Sequence, residues 1–468
     1  MQTSTPQSVV MTTARTSRLP TIGGKYFALA VLFVMNTLNY VDRYAFFAVI
    51  TPIEEDLHID DYWFAWLGSA FMIVYTLMSP LTGWLGDRFN RKLLIFGGVG
   101  LWSLATVGAA FSADFYHMFF WRALLGIGEA TYGVIAPALL ADLFPVKERG
   151  RAMGVYYLAL PVGTALGFLM GGTIAQHFGW RAVFWVVGLP GLVAALAALV
   201  ISDPGRGASE VAGTKVNTDR PGMRDYLELL KTKTFVFNTL GMAAVTFATG
   251  AYAAFGSAFF QRVHNLTTEE AAHRIGFVLV GAGLIGILLG MFVPDLLYKI
   301  TKRAYLLLAA IAVMCSVPLG LFGVLERHTN SSIAYLFGAS VLLSMVLGPC
   351  NTVTANVTAP NRRAAAYAAF IFFIHVFGDI SSPILLGWIS ELFGEPNVMA
   401  SPIGRFFASI GATPVGDTNL TVAMLSVGPV LLIGFLFFLI GSYFLPRDQE
   451  TVRGAGGVPA EELAQFHH

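Results

Sequence analysis

Asp42, Arg43, Arg122 and Glu129 stand inside otherwise apolar runs of this chain, and their spacing suggests proton and anion chemistry. Asn36, Asn39 and Arg43 recur at i, i+3 and i+7, which draws one polar stripe along a helix. Arg122 and Glu129 are seven apart and share a helix face two turns apart. An ionised side chain at mid-bilayer costs on the order of 3 kcal/mol on insertion scales, so it must turn toward protein or a wet cavity. A carboxylate removed from water binds its proton more tightly unless a cation offsets the desolvation. Glu129 and Asp42 therefore fit proton carriers, and Arg43 and Arg122 fit anion clamps. The plainer reading makes them fixed ion pairs that lock helices. His375 and Asp379, four apart, form a second polar pair. Together with Arg43, Arg122, Asn39 and Tyr40 they complete the candidate substrate-binding set.

These residues need helices that cross a membrane. Of 468 residues, 56% are hydrophobic and 12% charged, with a mean hydropathy of +0.66. A soluble chain carries about 25% charged residues. Here apolar runs reach twenty residues or more, the length that crosses roughly 30 Å of hydrocarbon. Runs between breakers predict spans over 26–50, 63–86, 93–112, 116–141, 150–176 and 181–201. A second set covers 235–261, 275–299, 304–325, 332–358, 364–390 and 421–445. At about 1.5 Å per helical residue, Asp42 lies about 24 Å and Glu129 about 18 Å from the inner ends of their spans, a comparable depth. The expected architecture is all-α, with twelve transmembrane helices in two pseudo-symmetric six-helix bundles. Residues 26–201 form the first bundle and 234–446 the second. A 1–25 tail, a 202–233 linker and a 447–468 tail flank them.

Charge sets the orientation. Of 29 Lys and Arg, 22 fall in the tails and in the loops joining even- to odd-numbered spans. The positive-inside rule then places both termini in the cytoplasm. Glu54, Glu55, Asp56, Asp60 and Asp61 crowd the first outer loop, as that orientation expects. The basic cluster Arg88, Arg91, Lys92 recurs as Lys299, Lys302, Arg303, and the pair Arg149, Arg151 recurs as Arg362, Arg363. Duplicated halves suit a carrier that rocks around a midplane site. A net charge of +1 gives no reason to expect nucleic acid. Cys315 and Cys350, both in apolar runs, read as small buried thiols and not as a disulfide. No nucleophile triad, metal-ligand spacing or phosphate-cradling loop is present, so neither an enzyme nor a cofactor is expected. The duplicated halves also disfavour a channel or receptor.

Three segments carry a family resemblance. Gly83-Trp84-Leu85-Gly86-Asp87-Arg88-Phe89-Asn90-Arg91-Lys92 resembles the loop signature of the major facilitator superfamily, with Asn90 in place of the usual second glycine. Asn tolerates the left-handed conformation, so the turn is expected to survive. In that signature Gly83, Asp87, Arg88 and Arg91 gate the conformational change. Arg122-x-x-x-Gly126-x-Gly128 matches a second superfamily pattern. More narrowly, Asn39-Tyr40-x-Asp42-Arg43-Tyr44, Gly126-Ile127-Gly128-Glu129-Ala130 and His375-x-x-Gly378-Asp379-x-x-Ser382-Pro383 are similar to segments of the spinster family of lipid transporters. The resemblance implies secondary transport of lysophospholipids or sphingoid phosphates, with proton coupling in some members. It also implies that Asp42, Arg43, Glu129 and His375 lie in or beside a central cavity. Compact loops and short tails point to a bacterial inner membrane, and a monomer is expected there. The competing reading, a carrier of small organic anions such as carboxylates or sugar acids, requires more polar cavity residues in the second half than the sequence offers.

Overall fold

The computed structural model describes residues 24–205, 229–358 and 363–455. The expectations for the outermost tails, for 206–228 of the linker and for Arg362 lie outside the described residues. So do the side chains of Asp87, Arg149 and Arg363.

Helices begin where a short polar side chain can accept from their free N–H groups. Asp60 accepts from Trp63, Asp114 from His117 and Asn419 from Val422, and Thr267 forms a capping box with Glu270. Asn90 departs from expectation. Its backbone is extended (φ −67°, ψ 116°), not left-handed, and its side chain accepts from Lys92 and Leu93 as a helix cap. Two otherwise unpaired amides explain the asparagine better than backbone strain does.

The first half contains α1 (Lys25–Ala48), α2 (Ile50–Leu57), α3 (Asp61–Arg88), α4 (Arg91–Ala109) and α5 (Phe115–Leu143). It continues with α6 (Val146–Tyr157), α7 (Ala159–Phe178) and α8 (Trp180–Ala198). The second half contains α9 (Lys233–His264), α10 (Thr268–Tyr298), α11 (Ala304–Leu325), α12 (Thr329–Met345) and α13 (Leu347–Asn356). After it come α14 (Arg363–Ile374), a π-helical turn (His375–Asp379) and α15 (Ser381–Leu392). The described residues close with α16 (Pro396–Met399), α17 (Pro402–Ser409), α18 (Leu420–Leu425) and α19 (Val427–Ala455). Eleven stretches among the described residues are long and apolar enough to cross a bilayer, and α1, with its polar stripe, completes the twelve. Where one expected span appears as two helices, as at Leu158 and Val346, the chain keeps its direction across the break.

Packing repeats between the halves. α3 lies on α5, and α4 on α5 and α8; in the second half α10 lies on α12, and α11 on α12 and α19. The seam between the halves repeats too, since α3 packs on α15 and α10 on α7. Lys25, Arg88 and Arg91 mark one end of the helices, called here the basic end. Glu54, Asp60 and Asp61 mark the opposite, acidic end. Cys350 is buried as expected, but Cys315 is exposed on α11, and both thiols are free.

Close helix approach depends on glycine where α4 meets α5. A Cβ on Gly128 would fall 2.6 Å from the Gly98 carbonyl oxygen and 2.6 Å from the Trp102 amide nitrogen. Both obstacles are backbone, so α4 and α5 would have to separate. Gly128→Val is expected to cost about 1–3 kcal/mol or more through overpacking. A lower apparent melting temperature of the detergent-solubilised protein, read by fluorescence-detected size exclusion, checks this.

Candidate functional site

The polar stripe of α1 turns inward onto α5 and α6. Arg43 Nη2 donates to Glu129 Oε2 at 2.7 Å, joining α1 to α5. Glu129 is fully buried, whereas the Arg43 side chain keeps 18% of its surface exposed. A charge-assisted bond in so dry a place holds strongly as long as both partners remain charged. The rings of Phe71 and Tyr40 flank the guanidinium, at 4.8 and 5.4 Å from its carbon. They shield it on its flanks while it remains open to one side.

Asp42 does not pair with Arg43. It lies buried on another face of α1 and accepts a hydrogen bond from the Thr106 hydroxyl of α4. Arg122 is also buried; its Nε donates to the Leu67 carbonyl at 3.4 Å, and its plane lies 4.0 Å from the Phe46 ring centre. Arg122 therefore makes no direct pair with Glu129. The four charges nonetheless act on one another through space, two acids balanced by two bases inside the first bundle. Asn36 donates to the Tyr156 carbonyl at 3.1 Å, and Asn39 is buried beside it.

On the other side of the seam, His375 Nδ1 lies 2.8 Å from Asp379 Oδ2. The expected i, i+4 pair is present, but within a π-helical turn in which Ile380 N donates to the His375 carbonyl. Gly250 of α9 leaves room for it: a Cβ there would meet Ser382 Oγ at 2.8 Å and Asp379 Oδ1 at 3.1 Å.

Between the halves lies a cavity of about 410 Å³. The first half lines it with Arg43, Tyr44, Phe47, Phe71, Met72 and Thr164. The second half contributes Met242, Val245, Leu279, Leu284, Ile287, Leu343 and Leu347, with Thr246, Thr249, Ser344 and Asp379 as its polar points. Arg43 and Asp379 are the charged residues of the lining. Asp42, Glu129, Arg122, Asn39, Tyr40 and His375 stand behind it and reach it only through neighbours. The aromatic residues of the second half do not form the wall either, since Phe255 and Phe370 are packed in the core. Sequence reasoning missed Thr106 and Thr164, because a hydroxyl in an apolar run carries no positional signal of its own.

At the basic end, Arg91 donates to Asp142 and to Asp203, each at 2.6 Å, while Arg88 lies over the Trp84 ring. Gly83 packs near Val134 of α5.

A sequence model of the Major Facilitator Superfamily matches residues 32–383. Protein spinster homolog 3 of Danio rerio is 31% identical over 479 residues, covering 98% of this chain and 92% of that protein. This chain belongs to the spinster family of the major facilitator superfamily. Protein spinster of Drosophila melanogaster is 33% identical over 386 residues, covering 80% of this spinster-type chain and 64% of the fly protein. A bacterial homologue of the human lysosomal transporter Spinster, solved in an inward-facing and unoccupied conformation, superposes with a TM-score of 0.77 at 25% identity. That match covers 93% of this chain and 99% of the other. A D-xylose–proton symporter at 14% identity and TM-score 0.67 shares the fold alone. The chain is thus a multi-pass membrane transporter of the spinster type, and not an enzyme.

Proposed function

We propose that this transporter moves an amphiphilic lipid with a phosphate-bearing headgroup, of the lysophospholipid or sphingoid-phosphate kind, by proton-coupled alternating access. The observation that carries the reading is a cavity whose wall is mostly aliphatic on one bundle, with Asp379 as its charged point, and holds one cation among the described residues, Arg43, on the other. A guanidinium binds phosphate through two parallel hydrogen bonds, and an aliphatic wall suits an acyl chain. Arg43 is also the residue that Glu129 holds. Protonation of Glu129 weakens that pair and frees the fork for the headgroup, which links proton and substrate through one side chain. Asp42 is the second proton carrier in this reading. Arg122, Asn39, Tyr40, His375 and Asp379 shape the site around it.

In the same proposal the bundles 26–201 and 234–446 rock about the cavity, joined by the linker 202–233, with both termini in the cytoplasm. Gly83, Asp87, Arg88 and Arg91 then gate the cytoplasmic face. The protein works as a monomer in a bacterial inner membrane, and needs no cofactor.

Purified protein in liposomes, given an imposed pH gradient, tests the reading. Gradient-dependent movement of a lysophospholipid or sphingoid phosphate is expected, with small carboxylates left unmoved. Transport of carboxylates or sugar acids in place of lipids overturns it in favour of the organic-anion carrier.

A further inference from the structure

Away from the cavity, Arg262 of α9 crosses the seam at the acidic end. It donates to Glu54 of α2 and, at 2.7 Å, to Asp61 of α3. Glu54 is 6% exposed and Asp61 1%. One guanidinium from the second bundle thus meets two buried carboxyl groups of the first.

The hydrogen bonds are divided unequally. Asp61 accepts from Arg262 on Oδ1 and from the Ser390 hydroxyl on Oδ2 at 2.6 Å, so both of its oxygens are satisfied as an anion. Glu54 accepts from Arg262 on Oε2, and its buried Oε1 meets no donor among the described residues. The two nitrogens of one guanidinium, Nη2 on Glu54 and Nη1 on Asp61, hold the two carboxyl groups side by side. With both ionised, the same contact is repulsive.

The other groups facing this cluster from neighbouring elements are mostly acidic too. Glu55 and Asp60 line the small cavity of about 290 Å³ beside it. Glu391 of α15 accepts from the Tyr62 amide at 2.6 Å. Among the nearby bases, Arg181 is engaged by Asp56 at 2.5 Å, and His264 lies against Thr329 at 3.3 Å.

We infer that this seam closes with one proton held between Glu54 and Asp61, which makes the acidic end a proton-binding gate and not a plain ion pair. Glu54 Oε1 carries the proton and points it toward Asp61, while Arg262 balances the single charge that remains. Burial, joined by the Asp61 charge, holds the Glu54 carboxyl well above the usual carboxylate range against the pull of Arg262. When the bundles part, Arg262 leaves with α9, both carboxyl groups meet water, and Glu54 ionises. A group whose affinity for protons is raised in the closed state favours that state at low pH and ceases to do so as pH rises through the closed-state value. With one proton fully linked, the closed-to-open ratio changes about tenfold per pH unit. The gate rests on no assumption about substrate or about Glu129.

The test uses the full chain in nanodiscs without substrate. Spin labels go on Tyr116→Cys and Ile403→Cys, exposed residues of opposite halves, in a Cys315→Ser, Cys350→Ala background. Electron–electron distance distributions are recorded between about pH 5 and about pH 8.5, a range that spans carboxyl and histidine titration. The closed population is expected to fall as pH rises. Glutamine mimics the protonated acid, accepting from Arg262 and donating to Asp61. Glu54→Gln should therefore stay closed across the range, and should lose an infrared band of a protonated carboxyl group. Glu129→Gln should keep the pH dependence of this seam. A Glu54→Gln protein that opens at every pH overturns the inference, because the ionised carboxylate would then be what holds the seam. A Glu54→Gln protein with the wild-type pH profile also overturns it, because the proton would then sit elsewhere.

Discussion

Glu129→Gln is expected to leave a folded protein that exchanges labelled substrate between equal pools but no longer concentrates it against a gradient. The carboxyl at this position is fully buried and pairs directly with Arg43. A buried ion pair that can be neutralised on one side has two states of very different strength. Glutamine removes the charged state and leaves a neutral acceptor for the Arg43 fork. The proton gradient then has nothing to act on at this site, although the cavity and its cation remain. The measurement is uptake into proteoliposomes with and without a pH gradient, alongside counterflow with no gradient. Gradient-driven accumulation at the wild-type level would assign coupling to another acid, Asp42 first.

Arg43→Ala is expected to abolish both modes of transport. The lost contact with an anionic headgroup is a charge-assisted hydrogen bond of about 1.5–3 kcal/mol, which corresponds to an affinity loss of about ten- to a hundredfold. The same change leaves Glu129 buried without its cation, a destabilisation of about 3–5 kcal/mol if the acid stays charged. Arg43→Lys separates the two effects. Lysine keeps the charge opposite Glu129 but offers no planar fork, so stability should recover while headgroup affinity recovers only in part. Equilibrium binding by calorimetry and thermal stability, measured on both variants, check the expectation. Equal affinity in wild type, Lys and Ala proteins would make Arg43 a structural pin.

Much of this could be read from the residues. Runs of twenty apolar residues located the helices because only a helix satisfies its own backbone in hydrocarbon. Depth counted along α1 and α5 brought Arg43 and Glu129 to one level, and there they meet. What adjacency in the chain could not give was the partner of Asp42. Asp42 and Arg43 are neighbours in the chain but point about 100° apart on a helix, so they cannot share one partner geometry. Asp42 instead finds Thr106 on α4, a residue type too common in apolar runs to signal anything. The acidic residues near position 60 looked like topology alone. Their connection to Arg262, some 200 positions further on, exists only because two bundles close against each other. The π-helical turn was equally invisible, since His375 and Asp379 would also meet at i+4 in an ordinary helix.

That turn sets a phase. A π-helical turn is an α-helix holding one residue more than its ladder can pair. Deleting a single residue between His375 and Asp379 would let the ladder close, at the cost of rotating one side of the segment by about 100° relative to the other. Asp379 faces the cavity just before α15, while Ser390 and Glu391 at the far end of α15 hold Asp61 and the Tyr62 amide across the seam. No single rotation of the helix preserves its packing on α9 as well as both of these faces. The surplus residue therefore acts as a vernier between the cavity wall and the acidic seam, both carried on one helix. Point substitutions here can be mild, but a change of length by one disconnects the two.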